Sequence, residues 1–166
     1  MKITFYTDGA SRGNPGRGGW GVYIEMEKDK IYTAKLSGGQ KEATNNQMEL
    51  TATIEALKYA RKNLAKMLEN DEVKIKIFTD SNYVKNGITT WIKNWEKNNW
   101  RTANKKPVLN KELWLELLDL KNLINKKLLE NNFSEIKFEY VRGHAGIKGN
   151  EIADELATVA ADEVAE

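Results

Sequence analysis

The chain has 166 residues, of which 40% are hydrophobic and 30% charged, a balance typical of one globular domain. It contains no cysteine and one histidine, which excludes a disulfide scaffold, a thiol nucleophile and metal sites built on thiolates or on several histidines. The net charge of +2 by itself indicates no class of partner.

The first part of the chain is predicted to form three strands. Residues 2–7, 20–27 and 30–36 are read as strands of an antiparallel meander. Bulky side chains on both faces of 2–7 indicate a central strand. The stretch 13–19, rich in glycine and containing a proline, is typical of a turn between the first two strands.

Helices alternate with two further strands in the rest of the chain. Thr44 followed by Gln47 fits a capping box and predicts a helix from there to about residue 70. Strands are expected at 73–79 and 136–141. Short helices at 81–86 and 90–98, an irregular stretch at 99–109, a long helix capped by Asn110 and a last helix capped by Asn150 complete the order.

This order predicts an α/β fold with a five-stranded mixed sheet and helices on both faces. Residues 1–166 show no linker, repeat or low-complexity tract, so we expect a single domain. The amino terminus lacks the apolar core of a signal peptide, and no apolar run approaches the about 18 residues of a membrane span. We therefore expect a cytoplasmic protein with no membrane contact.

Four acidic residues occupy positions where folds of this class carry catalytic or ligand-binding groups. Asp8 and Asp80 follow predicted strands, and ligands bind at the carboxyl ends of strands in such sheets. Glu49, one turn into the first long helix, and Asp154, in the last helix, could face the same edge. Each acid alone reads as a helix cap or a surface charge, but grouped carboxylates repel one another unless a cation is present.

The type of ligand available narrows the choice of cation. Oxygen ligands without cysteine select Mg²⁺ or Mn²⁺ over zinc. Two such ions about 3.5–4 Å apart would suit in-line displacement at a phosphodiester.

Short motifs spread along the whole chain together resemble bacterial type 1 ribonuclease H. Each motif is weak alone, but they occur in the family's order and at the predicted ends of strands and helices. They are Tyr6-Thr7-Asp8-Gly9, Gly13-Asn14-Pro15-Gly16, Thr44-Asn45-Asn46-Gln47-Met48-Glu49-Leu50, Thr79-Asp80-Ser81, Gly143-His144-Ala145-Gly146, Asn150-Glu151 and Asp154-Glu155-Leu156-Ala157.

The resemblance implies a ribonuclease H-like fold and endonucleolytic cleavage of RNA in RNA–DNA hybrids, leaving 5′-phosphate and 3′-hydroxyl ends. It implies two Mg²⁺ ions, for which Mn²⁺ can substitute, held by the matching positions Asp8, Glu49, Asp80 and Asp154. It further implies that His144, on a loop, assists proton transfer or product release, which suits a group that titrates near neutral pH.

The resemblance also implies how the hybrid is held. Asparagines would lie in its minor groove, and Glu49 would join them in checking the RNA 2′-hydroxyls. Residues 85–106 resemble the family's basic protrusion, which grips the DNA strand. The segment from Lys85 to Lys111 carries seven basic residues and one acid, so it is +6 in a body of −4. The expected substrate-binding residues are Asn14, Thr44, Asn45, Asn46, Asn82, Trp91, Trp95, Lys97, Trp100, Lys105, Lys106 and Asn110.

Two positions depart from the family pattern. Glu42 stands where members often carry an arginine that holds a DNA phosphate together with the positions of Thr44 and Asn110, and Lys41 is the neighbouring cation. Asn82 stands where glutamine is common.

Other readings stay open. A DNA junction or strand-transfer nuclease could use the same fold, and a chain with a dead site could only bind hybrids. The tryptophans in 85–106 fit packing as well as contact with nucleic acid, whereas Trp114 on the leucine-rich helix fits the core. We expect a monomer.

Overall fold

The structure is a computed structural model that describes residues 1–70, 72–143 and 145–165. Its five-stranded sheet has the order β3-β2-β1-β4-β5. The first three strands pair antiparallel, and β1, β4 and β5 run parallel, so β1 is central as expected. The strands are β1 Lys2–Gly13, β2 Gly16–Glu27, β3 Ile31–Ala43, β4 Lys74–Thr79 and β5 Lys137–Tyr140.

Helices pack on both faces of this mixed sheet, which confirms the predicted fold class. One face, carrying Phe5, packs against α1, and α4 lies on α1. The other face, carrying Gly19 and Gly21, packs against α5. The helices are α1 Asn45–Asn70, α2 Asn82–Asn86, α3 Ile92–Lys97, α4 Lys111–Glu130 and α5 Lys148–Glu163, with a π-helical turn, Gly87–Trp91, between α2 and α3. No helix in the described part of the chain is long and apolar enough to cross a membrane.

The prediction of a turn over 13–19 was wrong for most of that stretch. Only Asn14 and Pro15 turn, and β2 already begins at Gly16. The glycines of β2 serve close packing instead, because a Cβ on Gly19 would lie 2.2 Å from the carbonyl oxygen of Ala157 and one on Gly21 would lie 2.6 Å from that of Ala153. The helix α5 therefore approaches the sheet more closely than side chains on β2 would allow.

The predicted cap of the last helix was also wrong. The helix α5 begins at Lys148, and its N-cap position is Ile147. Asn150 lies inside the first turn and is buried. This start lets Gly149 lie against the ring of Tyr6, where a Cβ would come within 2.4 Å of ring carbons.

Candidate active site

Parallel pairing of β1 and β4 brings two carboxylates to one edge of the sheet. Thr7 pairs with Thr79, so Asp8 and Asp80 follow neighbouring residues on adjacent strands. Asp8 is 4% exposed, and Asp80 is half-buried. The two acids lie together as predicted, but the prediction that the first strand ends before Asp8 was wrong, because β1 continues to Gly13 and only Asp80 follows its strand.

Glu49 reaches the same edge because α1 passes very close to β1. Gly9 has no side chain, and a Cβ there would lie 2.4 Å from the backbone nitrogen of Glu49. The amide of Gly9 donates to Asp8 Oδ1 at 2.9 Å and to Glu49 Oε1 at 3.1 Å. One backbone N–H thus holds two carboxylates side by side.

Asp8, Glu49 and Asp80 form a cluster, named here the carboxylate cluster, in which one oxygen from each lies within 4.8 Å of the others. Asp154, half-buried on α5, is close enough to contribute to the raised pKa of Asp8 but is not a member of this cluster. A Cβ on Gly143 would lie 3.1 Å from Asp80 Oδ2, so the loop after β5 closes the other side. Four elements and one loop therefore converge on this edge.

The electrostatics of the carboxylate cluster are unfavourable in the absence of a cation. Burial, with the charge of Asp80 acting in the same direction, raises the pKa of Asp8 to about 7. Burial, followed by the charge of Asp8, raises the pKa of Glu49 well above its usual range. Carboxylates that resist ionisation in this way mark a place where a cation would be strongly stabilising.

The donor set fits a hard divalent cation. Glu49 Oε2 is buried and has no hydrogen-bond partner, although buried polar atoms are normally satisfied. The donors that surround it in the carboxylate cluster are all carboxylate oxygens, the ligand type that Mg²⁺ and Mn²⁺ prefer.

The expected groove asparagines lie at the start of α1 and in the β1–β2 turn. Thr44 and Gln47 form the predicted capping box, with Gln47 N donating to Thr44 Oγ1 at 3.1 Å and Thr44 N to Gln47 Oε1 at 3.0 Å. Asn45 N donates to Asn14 Oδ1 at 3.1 Å, so the turn is tied to the helix start. Asn14, Asn45 and Asn46 are exposed, and the last two lie on α1, the helix that also carries Glu49.

Asn110 occupies the N-cap position of α4, but its side chain does not cap the helix as predicted. Its backbone is left-handed, with φ of 61°. The side-chain amide instead bridges two other elements: its Oδ1 accepts from Gln47 Nε2 at 3.3 Å, and its Nδ2 donates to Tyr83 Oη at 3.1 Å. The start of α4 is thereby joined to the starts of α1 and α2.

The basic protrusion, residues 85–106, stands on a cluster of tryptophans. Trp95 lies 5.8 Å from Trp91, 5.7 Å from Trp100 and 5.5 Å from Trp114, measured between ring centroids. Trp114 is fully buried as expected, and the other three are half-buried. Each of those three rings therefore both packs and presents an edge to solvent.

The cations of the basic protrusion are exposed, unlike the tryptophans that support it. Lys97, Lys105 and Lys106 are exposed, as is Asn82 at the start of α2. Lys41 and Glu42, at the departure from the family pattern, are exposed too. His144 lies outside the described residues.

Sequence reasoning missed Gly9 and Tyr83 as parts of this site. Gly9 was visible only as a member of a common motif, and its role follows from the closeness of α1 to β1. Tyr83 gave no signal of its own, since its partners Asn110 and Trp114 are distant in sequence.

Comparisons with known proteins agree on one family. The family model of RNase H matches residues 1–162. Ribonuclease H of Ruthia magnifica is 47% identical over 163 residues, which cover 98% of this chain and 97% of that protein.

Solved structures agree in fold. LC9-RNase H1, described as a type 1 RNase H with the type 2 active-site motif, superposes with a TM-score of 0.76 at 27% identity, covering 97% of this chain and 72% of that one. The foamy viral protease-reverse transcriptase, solved in complex with an RNA/DNA hybrid, superposes with a TM-score of 0.73 at 22% identity over 98% of this chain and 20% of that one, a likeness of fold alone.

Proposed function

The chain belongs to the ribonuclease H family, and we propose on that basis that it is an endonuclease hydrolysing the RNA strand of RNA–DNA hybrids. We propose that it uses two Mg²⁺ ions, or Mn²⁺ in their place, and leaves 5′-phosphate and 3′-hydroxyl ends. The observation that carries this proposal is the carboxylate cluster with the unpartnered Oε2 of Glu49.

Four carboxylates would hold the ions: Asp8, Glu49, Asp80 and Asp154. Bound ions of this kind polarise a phosphoryl oxygen and supply a nucleophilic water at neutral pH. The protein's part is to keep its carboxylates ionised and fixed. The Gly9 amide fixes Asp8 and Glu49, because it donates to both, and it opposes without cancelling the rise in their pKa that burial causes.

Substrate recognition would divide between two surfaces. Asn14, Asn45 and Asn46, together with Glu49, would meet the RNA 2′-hydroxyls, the groups that distinguish RNA from DNA. Their exposure and the bond from Asn45 to Asn14 support a common groove surface.

The DNA strand would lie against the other surface. The exposed lysines Lys97, Lys105 and Lys106 would contact phosphates, and the half-buried rings of Trp91, Trp95 and Trp100 would contact deoxyriboses. Thr44, Asn82 and Asn110 would complete the contacts between the two surfaces.

His144 is proposed, from the family resemblance, to assist proton transfer or product release. General acid–base groups typically contribute about 10²–10⁴-fold. We therefore expect His144→Ala to cleave slowly and to be neither inactive nor unimpaired. Single-domain organisation over residues 1–166, a monomeric state and a cytoplasmic location stay predictions.

The test is cleavage of a labelled RNA–DNA hybrid in Mg²⁺ and in chelator, with double-stranded RNA and double-stranded DNA of the same sequence beside it. We expect the hybrid to be cleaved at consecutive ribonucleotides in Mg²⁺ and not in chelator. We expect neither double-stranded RNA nor double-stranded DNA to be cleaved. Comparable cutting of duplex DNA would favour the junction nuclease, and hybrid binding without cleavage would favour a binding module.

A further inference from the structure

The hydroxyl of Tyr83 connects α2 to the start of α4 and to the buried side of that helix. It accepts from Trp114 Nε1 at 3.0 Å and from Asn110 Nδ2 at 3.1 Å. Trp114 is fully buried on α4, whereas Tyr83 is half-buried on α2. A single oxygen thus satisfies a donor in the core and a donor at the substrate surface.

The bonds to Gln47 and Tyr83 together hold the Asn110 amide in place. Its nitrogen is held by Tyr83, and its oxygen accepts from Gln47 Nε2 at 3.3 Å. Gln47 Oε1 accepts from Thr44 N, so Gln47 Nε2 faces Asn110, and a flipped Asn110 amide would set donor against donor there. Asn110 is therefore locked in one orientation although it sits in a left-handed backbone.

Gln47 extends this chain of bonds to the groove asparagines. The side-chain oxygen of Gln47 accepts from Thr44 N, and the backbone N–H of Gln47 donates to Thr44 Oγ1. The next residue, Asn45, is bonded to Asn14. Hydrogen bonds therefore lead from the buried Trp114 through Tyr83, Asn110 and Gln47 to Thr44, and the bond from the adjacent Asn45 to Asn14 reaches the β1–β2 turn.

The ring of Tyr83 ties the same path to the tryptophans under the basic protrusion. Its centroid lies 5.6 Å from that of Trp91 and 5.4 Å from that of Trp114. The two proposed substrate surfaces, one facing RNA and one facing DNA, thus meet at this side chain.

We propose that Tyr83 is a positioning residue that acts through Asn110 and sets the two substrate surfaces in register. The inference rests on the proposed function. Tyr83 lies outside the carboxylate cluster, so its hydroxyl would act on hybrid binding and leave the chemical step unchanged. Polar networks held to one arrangement in this way are worth more than their separate bonds.

The test is Tyr83→Phe, which keeps the ring and removes the hydroxyl. It strands a buried donor on Trp114 and frees the Asn110 amide, and such losses typically correspond to about 5- to 30-fold in an equilibrium constant. We expect KM for the hybrid to rise by that factor, with kcat within about 2-fold of wild type. Tyr59→Phe is the matched control, since Tyr59 is half-buried on α1 and its hydroxyl contacts the sulfur of Met26 at 3.8 Å, away from the carboxylate cluster and the substrate surfaces.

Combining Tyr83→Phe with a change at Asn110 distinguishes a positioning role of Tyr83 from a general loss of stability. In an Asn110→Ala background, we expect Tyr83→Phe to raise KM no further, because the group it acts through is gone. Should Tyr83→Phe not fold, Asn110→Ala alone keeps the proposal falsifiable, since the proposal requires it to raise KM with kcat little changed, and an unchanged KM would overturn the proposal.

Failure of the proposal is distinct from failure of the proposed function. A wild-type protein that does not cleave hybrid overturns the function. A cleaving wild type with an unchanged KM for Tyr83→Phe overturns the role of Tyr83. An equal rise in KM with and without Asn110 also overturns it, because the hydroxyl would then act directly.

Discussion

The carboxylate cluster and the basic protrusion are built in opposite ways. The first stands on, or directly after, regular strands and a helix and is largely buried, with Asp8 only 4% exposed. The second contains the π-helical turn Gly87–Trp91 and three left-handed residues, Asn99, Trp100 and Lys105, and its cations are exposed. Backbone regularity fixes the groups proposed for chemistry, whereas side-chain packing of tryptophans supports the groups proposed for binding.

The largest expected effect is a loss of cleavage with hybrid binding unchanged. A loss of binding as well would contradict the division between the carboxylate cluster and the basic protrusion. Asp80→Asn is nearly isosteric and removes an anionic oxygen from the carboxylate cluster. We expect cleavage to fall by at least about 10³-fold, because positioned electrostatic groups are worth that much. Hybrid affinity in Ca²⁺ should stay within about 2-fold of wild type. Asp29→Asn, at the exposed β2–β3 turn, is the control.

A second effect concerns stability in the absence of metal. Because the pKa of Asp8 is raised to about 7, the folded state retains a proton that the unfolded state loses near pH 4. In chelator, this carboxyl should cost no stability below about pH 4 and up to about 4 kcal/mol as the pH passes 7. Urea unfolding at pH 5 and pH 8 measures the difference.

Asp8→Asn is the matched variant for this measurement, and it should flatten the fall between pH 5 and pH 8. Mg²⁺ should offset the fall in the wild type by binding the folded state. Identical pH dependence of wild type and variant would contradict the raised pKa of Asp8.

Much of the fold and of the carboxylate cluster could be predicted from the sequence, because both follow from strand ends and helix starts. Asp8 and Asp80 were placed by the alternation of β1 and β4, and α1 was placed by its capping box. What failed depends on close packing between distant elements. The glycines of β2 were read as a turn because nothing local shows that α5 needs their missing side chains.

The same reason explains Asn110 and Tyr83. An asparagine before a leucine-rich helix is an ordinary cap by local rules. Its actual partners, Gln47 and Tyr83, come from other helices. Only the packed fold shows that the side chain joins three helix starts.

The third prediction tests whether regular backbone really positions the carboxylates. Gly9→Ala would place a Cβ 2.4 Å from backbone atoms of α1, which cannot give way as a side chain could. The start of α1, with Glu49, must then shift, and misplacement of catalytic groups by about 1 Å costs on the order of 10²-fold. Wild-type cleavage by Gly9→Ala would show that the close approach is dispensable.

The smallest effect belongs to the basic protrusion. Lys105→Asn suits the left-handed backbone at that position, and Lys106→Gln removes the neighbouring charge. Hybrid affinity should fall by about 10-fold, and the slope of log K against log salt should flatten by about 1.8 for two phosphate contacts. The pair Lys62→Gln and Lys66→Gln, exposed on α1, makes the same charge change elsewhere. Equal slopes for the two double variants would place residues 105–106 off the substrate path.

The most direct test of the division between chemistry and binding is single-turnover cleavage at increasing enzyme concentration for Asp80→Asn and for the Lys105→Asn/Lys106→Gln double variant. We predict that the maximal rate falls only for Asp80→Asn and that the concentration giving half of that rate rises only for the double variant. A double variant that lowers the maximal rate, or an Asp80→Asn protein that cleaves at the wild-type rate, would contradict the assignment of chemistry to the carboxylate cluster and of binding to the basic protrusion.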